Sequence, residues 1–364
     1  MTRPARSGGG VWPWPGPSSA APTATPARVA QLAQVAQLAQ LARVTRAGRR
    51  ALAAIPAAVR AATPAGRAVV GDPPVGLPDS RRTTVVIMPT VAERLGFPPE
   101  AKLLIINCAD LGLCHAATVG VYDALREGIG TSGSLIVPAP WARESASRFR
   151  GDDIGVQLTL NAEHDLYRWA PITQAPSLLD GDGGFPRTVT DVWDHADLDE
   201  VRRECRAQVE RAVLWGFDIS HLDAHLDALL LRPEFFDIYL ELAVDFALPL
   251  RLLGAESEPN VGFPVRKLAA DEGVLFADHF ATLPPSGNRT AFLELIDSLA
   301  PGVTELSLRP AIDTPELRAI ATDWRARVAD EVLLVADRGL DQAVTEADVT
   351  LIGYRPLREA MRQG

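Results

Sequence analysis

One short run, His221-Leu222-Asp223-Ala224-His225, holds the densest set of potential ligands in the chain. If the run is extended, side chains two apart point the same way, so His221, Asp223 and His225 share a face. Imidazole and carboxylate together suit a divalent metal such as Mg, Zn or Mn. The alternative is a hydrogen-bonded polar cluster capping a strand. Asp110, just past the apolar run 103–107 (LLIIN), favours the metal, because it offers a ligand from a second strand end. Gln157 ends the core of another apolar run, 154–160, and Arg309 closes TELSL. The segment from Asn161 to about Asp197 reads as a long loop. It carries Glu163, His164 and Asp165, where His164 between two carboxylates is a candidate general base, with Asp223 as another. It also carries Tyr167, Arg168 and Trp169, types suited to stacking on a sugar ring.

From Lys102 onward, short apolar runs alternate with amphipathic stretches such as 115–128, 198–216 and 233–247. Strands alternating with helices predict an α/β protein with a mostly parallel sheet. Seven or eight such units over about 260 residues predict a TIM-type barrel, regular or not. No GxGxxG follows the first strand, which weakens the doubly wound alternative. Asp110, Gln157, Asp223, His225 and Arg309 all fall at C-terminal strand ends, the rim where barrels place their chemistry. Arg251, near the start of another apolar run, is expected at the opposite face.

Charge divides the chain. Residues 1–71 carry nine Arg and no Asp or Glu, whereas the remainder carries 27 basic and 46 acidic residues. An acidic body argues against nucleic acid or an anionic membrane as partner. Residues 1–82, rich in Pro, Ala and Arg with a short repeat over 29–44, read as a low-complexity extension or a misassigned start, ahead of one barrel domain over 83–364. Three cysteines without CxxC spacing fit a reducing compartment, so the expected location is cytoplasmic. A homodimer is an allowed assembly.

In order along the chain, these motifs resemble those of the YdjC-like (ChbG-type) carbohydrate deacetylases. Asn107-Cys108-Ala109-Asp110-Leu111-Gly112 is similar to the family's N-A-D-D-x-G, GIGTSGSLIVP (128–138) to its next segment, and SLLDGDGGF (177–185) to its SLLD stretch. The resemblance implies a metal held by Asp110, by position 157 and by His225. Gln157 stands where the family has a His ligand, and so makes a weak one. It implies a catalytic base at position 109, where this chain has Ala109, and an assisting His where it has Arg309. Asp227 stands where another His is common. The implied activity is metal-assisted hydrolysis of the amide of an N-acetyl sugar or other N-acylated small molecule. His221, Arg309 and Trp169 are its expected substrate contacts. Loss of a general base costs about 10²–10⁴ in rate. The expectation is therefore a hydrolase of impaired activity, or an inactive relative that binds a sugar or small anionic ligand.

Overall fold

A computed structural model describes residues 90–284 and 289–363. The proposed boundary near residue 82 lies outside them. Seven strands form one sheet: β1 (Lys102–Leu111), β2 (Ser132–Leu135), β3 (Ile154–Leu158), β4 (Ile219–Ala224), β5 (His279–Thr282), β6 (Gly302–Leu308) and β7 (Val349–Leu351). Every pairing is parallel, in the order β4-β3-β2-β1-β6-β5. β7 pairs with β1 through Lys102–Leu104, and β2 pairs with it from Asn107 onward. Because β6 takes the opposite edge of β1 from Lys102 to Cys108, β7 and β2 share one edge end to end. Beyond β4, Leu250 bridges Leu222 and donates its N–H to the Leu275 carbonyl, which carries the wall round toward β5. The expected barrel is present, and it is irregular between β4 and β5.

The pattern of β1 explains its apolar run. Leu103 and Ile105 face the inside with Val303 and Tyr354, while Leu104, Ile106 and Cys108 face the surrounding helices. A strand buried on both faces needs no polar alternation. The inner residues turn polar toward the C-terminal end: Asn107 on β1, Ser134 on β2, Gln157 on β3, Asp223 on β4, Ser307 on β6.

The longest helix among the described residues, Leu198–Trp215, starts where the Asp197 carboxylate accepts from the N–H groups of Asp199 and Glu200, and stops at Gly216. It buries Val201, Cys205 and Val209, and two polar side chains with them. Gln208 exchanges two hydrogen bonds with the backbone of Thr159, at 2.8 and 3.0 Å, which fixes the end of β3 two residues beyond Gln157. Glu204 accepts from the N–H groups of Ile172 and Thr173 and so ties the long loop to the barrel. That loop also contains a short helix, Val189–His195.

Candidate functional site

The alternation of β1 breaks where the chemistry begins. Ala109 points inward, so a regular strand would turn Asp110 outward toward the helices. Instead Asp110 adopts φ 67°, the pairing with β2 shifts register between Cys108 and Leu111, and both residues line one cavity. Aspartate tolerates this left-handed conformation better than most residues, and a bulge of this kind re-aims a side chain at a site. The freed Asp110 N–H donates to Gln157 Oε1 at 3.0 Å.

Asp110, Gln157 and His225 do meet, and they bond to one another. The Gln157 amide Nε2 lies 3.1 Å from Asp110 Oδ1 and 3.2 Å from His225 Nδ1. The other ring nitrogen, His225 Nε2, lies 3.0 Å from Glu163 Oε2. The other oxygen, Asp110 Oδ2, accepts from Arg327 Nη1 at 2.7 Å, both side chains being almost wholly buried. Arg327 sits in the helix Trp324–Glu331, where Asp323 also accepts from its Nε at 3.0 Å. Burial pushes the Asp110 carboxyl up, but Arg327, His225 and Arg309 outweigh it and hold the carboxyl well below the usual range. For His225, burial pulls the imidazole down, and Glu163 outweighs that and raises it.

The family resemblance implies a divalent metal here, and these residues do not fit one. Every oxygen of Asp110 and both nitrogens of His225 already have partners. A buried guanidinium stands against the carboxylate that would face the ion, and like charges repel. The third position, Gln157, offers only a neutral amide. Among the described residues, no group of three His, Cys, Asp or Glu converges on one point.

The cavity above this cluster has a volume of about 600 Å³. Its wall includes Asp223, Asp227, Arg251, Arg309, Asp323 and Asp330. Asp223 Oδ2 accepts from Ser134 Oγ at 2.8 Å, its Oδ1 from the Ala224 N–H at 2.7 Å, and Arg251 Nε stands 3.7 Å away. Burial raises the Asp223 pKa above the ordinary carboxyl value, against the pull of Arg251. Leu226 and Asp227, at φ 49° and 57°, make the tight turn that brings Asp227 against Arg251. Arg251 also lies over the Phe280 ring, 4.6 Å from its centroid. A second cavity of about 450 Å³ adjoins the first and shares Leu226, Arg309 and Asp323 with it. Glu163, His164 and Tyr167 line this second one.

Several expectations are corrected by this placement. Arg251 reaches the rim cavity rather than the opposite face, because its strand-like segment runs parallel beside β4 and ends at the same height. His221 lines neither of these two cavities. It shares the face of Asp223 but lies one layer deeper, fully buried, its ring stacked on Tyr354 at 3.9 Å. Trp169 does not present a face to a sugar, since it is buried with its indole N–H donated to the Asn161 carbonyl, and it backs His225 at 6.3 Å between ring centroids. His164 faces the second cavity, beside Glu163 at 3.6 Å, and not Asp223. Arg309 lies at the mouth of both cavities, with its guanidinium 3.1 Å from Asp323 and its backbone N–H on Asp330. Within the 221–225 run each polar side chain has protein partners: His221 Nδ1 lies 3.0 Å from Ser220 Oγ, Asp223 accepts from Ser134 and Ala224, and His225 meets Gln157 and Glu163.

Residues the sequence reading missed are Arg327, Asp323 and Asp330, all from one helix and its cap. Their spacing, four residues from Asp323 to Arg327 and three from Arg327 to Asp330, marks only an ordinary exposed helix face. Glu163 is visible in the sequence as a loop carboxylate, but nothing there ties it to His225, 62 residues away.

Residues 103–346 match the sequence profile of the family described as YdjC-like protein. A carbohydrate deacetylase of Thermus thermophilus is 38% identical over 246 residues, spanning 65% of this chain and 88% of that protein. One from Thermoanaerobacter pseudethanolicus is 27% identical, over 71% of this chain and all of its own length. Among solved structures, a protein of Enterococcus faecalis V583 provisionally named for cellobiose-phosphate cleavage is similar. It superposes with a TM-score of 0.63 at 25% identity, over 71% of this chain and 99% of its own. Among the described residues no helix is long and apolar enough to cross a membrane.

Proposed function

Because the chain belongs to the YdjC-like protein family, we propose that it acts on an N-acylated carbohydrate, as a hydrolase of the carbohydrate deacetylase type, in the rim cavity. The relatives named carbohydrate deacetylases support the reaction class. The observation that carries it to this site is Asp223: a buried, pKa-raised carboxylate on the cavity wall, facing the space from which Ala109 withdrew a base. A carboxylate whose pKa is raised accepts a proton more readily than an ordinary one. In this reading Asp223 draws the proton from an attacking water as its oxygen bonds to the acyl carbon, then returns that proton to the amide nitrogen as the C–N bond breaks, releasing the carboxylate and the free amine. The Arg251 guanidinium steadies the negative charge that develops on the acyl oxygen, in a partly water-excluded wall.

The ligand is read from the charges. Among the described residues, five carboxylates (Asp110, Asp223, Asp227, Asp323, Asp330) line the cavity against two guanidiniums, Arg251 and Arg309, each already paired, and even with Arg327 compensating Asp110 from behind the wall, carboxylates remain in excess. That surplus repels a phosphate or carboxylate and accommodates neutral hydroxyls or an amine, the product of deacylation. The adjoining second cavity gives room for a further sugar ring.

A second reading is favoured by Ala109 and by the closed bonding of Asp110 and His225: a protein that holds the N-acyl sugar without cleaving it. One experiment separates them. Incubate the chain with N-acetylated mono- and disaccharides, measure acetate, and follow the melting temperature with the same sugars. Acetate release by the wild type and none by Asp223→Asn supports the hydrolase. A raised melting temperature without acetate supports the binder. Neither effect from any N-acylated sugar overturns both.

A further inference from the structure

We infer that two side chains of this protein occupy the place and the charge of a divalent ion, making the Asp110–His225 cluster a metal-free site held by hydrogen bonds. The Gln157 amide supplies the place. Its nitrogen carries two N–H groups, one within reach of Asp110 Oδ1 at 3.1 Å and one within reach of His225 Nδ1 at 3.2 Å. These two acceptors are themselves 3.9 Å apart. The amide nitrogen therefore stands between the lone pairs that a cation would bridge, and satisfies them by donating protons. This orientation also lets Gln157 Oε1 accept from the Asp110 N–H, so all three polar positions of the amide are used.

Arg327 supplies the charge. Asp110 is buried, and an isolated buried carboxylate costs several kcal/mol unless a cation accompanies it. The guanidinium that meets Asp110 Oδ2 is itself buried, and its Nε is held by Asp323. It is thus fixed in place from both sides. A flexible surface arginine would yield to an incoming ion, whereas this one is packed in a helix that also forms the cavity wall. His225, with its second nitrogen on Glu163, completes a chain that runs Arg327, Asp110, Gln157, His225, Glu163.

The inference concerns the resting protein and does not depend on whether the hydrolase reading holds, so its test uses no substrate. Purified full-length chain is incubated with Zn or Co(II), desalted and analysed for metal, with folding followed by circular dichroism. Under a tenth of an ion per chain is expected, with a melting temperature unmoved by a chelator. The paired substitution Gln157→His with Arg327→Met should then take up about one Co(II) per chain with a visible d–d spectrum, lost again on adding Asp110→Ala. About one ion per wild-type chain, lost in Asp110→Ala, would overturn the inference. So would a folded double variant that still takes up no metal, because something other than these two residues would then be excluding it. If the double variant does not fold, the wild-type measurement alone still decides, and the neutral pair Asp110→Asn with Arg327→Met, expected to fold and remain metal-free, checks that the charges balance each other.

Discussion

Replacing Arg327 by methionine, which keeps much of its bulk, tests how the site is built. The substitution leaves the buried Asp110 Oδ2 without its 2.7 Å donor, while Oδ1 keeps only the Gln157 amide. Breaking a buried ion pair by removing one partner costs about 3–5 kcal/mol. Asp110→Asn should cost less, about 1–3 kcal/mol, since Arg327 retains Asp323 and the new amide oxygen still accepts. The double variant should be far milder than the sum, because neither charge is left behind. For a domain of this size, 3–5 kcal/mol is a fall of roughly 6–20 °C in melting temperature. The pH dependence has a definite sign. In the wild type the Asp110 pKa is depressed, so its contribution is present above the unfolded value of about 3.9 and lost as pH falls below it. In Arg327→Met the carboxyl rises with burial and takes up a proton in acid, so the cost should shrink as pH falls toward about 4. Urea denaturation of the four proteins at neutral and acid pH measures all of this. A cost under about 1 kcal/mol for Arg327→Met, or simple additivity in the double variant, would refute the reasoning.

Other perturbations follow from the same packing. Glu163→Gln removes the main group raising the His225 imidazole, so its pKa should fall in a ring-resonance NMR titration. Because a raised imidazole stabilises below about 6.5 and that stability is lost as pH rises through the folded value, the variant should also flatten the pH-dependence of stability there. Glu305, whose carboxyl burial pushes up to about 7, accepts from Tyr354 Oη at 2.5 Å and Asn107 Nδ2 at 3.2 Å. Its stability contribution is full below about 4.3 and declines as pH rises through about 7, so Glu305→Gln should remove that decline in denaturation curves taken across the interval. Gly155→Ala should destabilise by about 1–3 kcal/mol, because a Cβ there would lie 2.5 Å from the His221 ring and 2.6 Å from its carbonyl oxygen. The backbone clash means that adding His221→Ala should not restore full stability in the same denaturation assay.

What the sequence determined by itself is the periodic part. Apolar runs of strand length alternating with amphipathic helices fix a parallel α/β barrel, because a two-faced buried strand and a one-faced helix leave few other ways to bury their surfaces. The same periodicity sufficed to put Asp110, Gln157, Asp223 and Arg309 at one rim, since residues that end parallel strands end them on one side. Tertiary structure decided what those residues do. The bulge at Asp110 overrides the alternation that would have turned it away, and no one-dimensional pattern signals a register shift between β1 and β2. Depth along the barrel separates His221 from Asp223 although both share a face: one packs on Tyr354, the other meets the cavity. Arg327 reaches Asp110 across 217 residues of chain, and its charge changes the cluster from a set of ligands into a closed hydrogen-bonded chain. Interactions between ionised side chains depend on distance and burial, which spacing along a sequence does not carry.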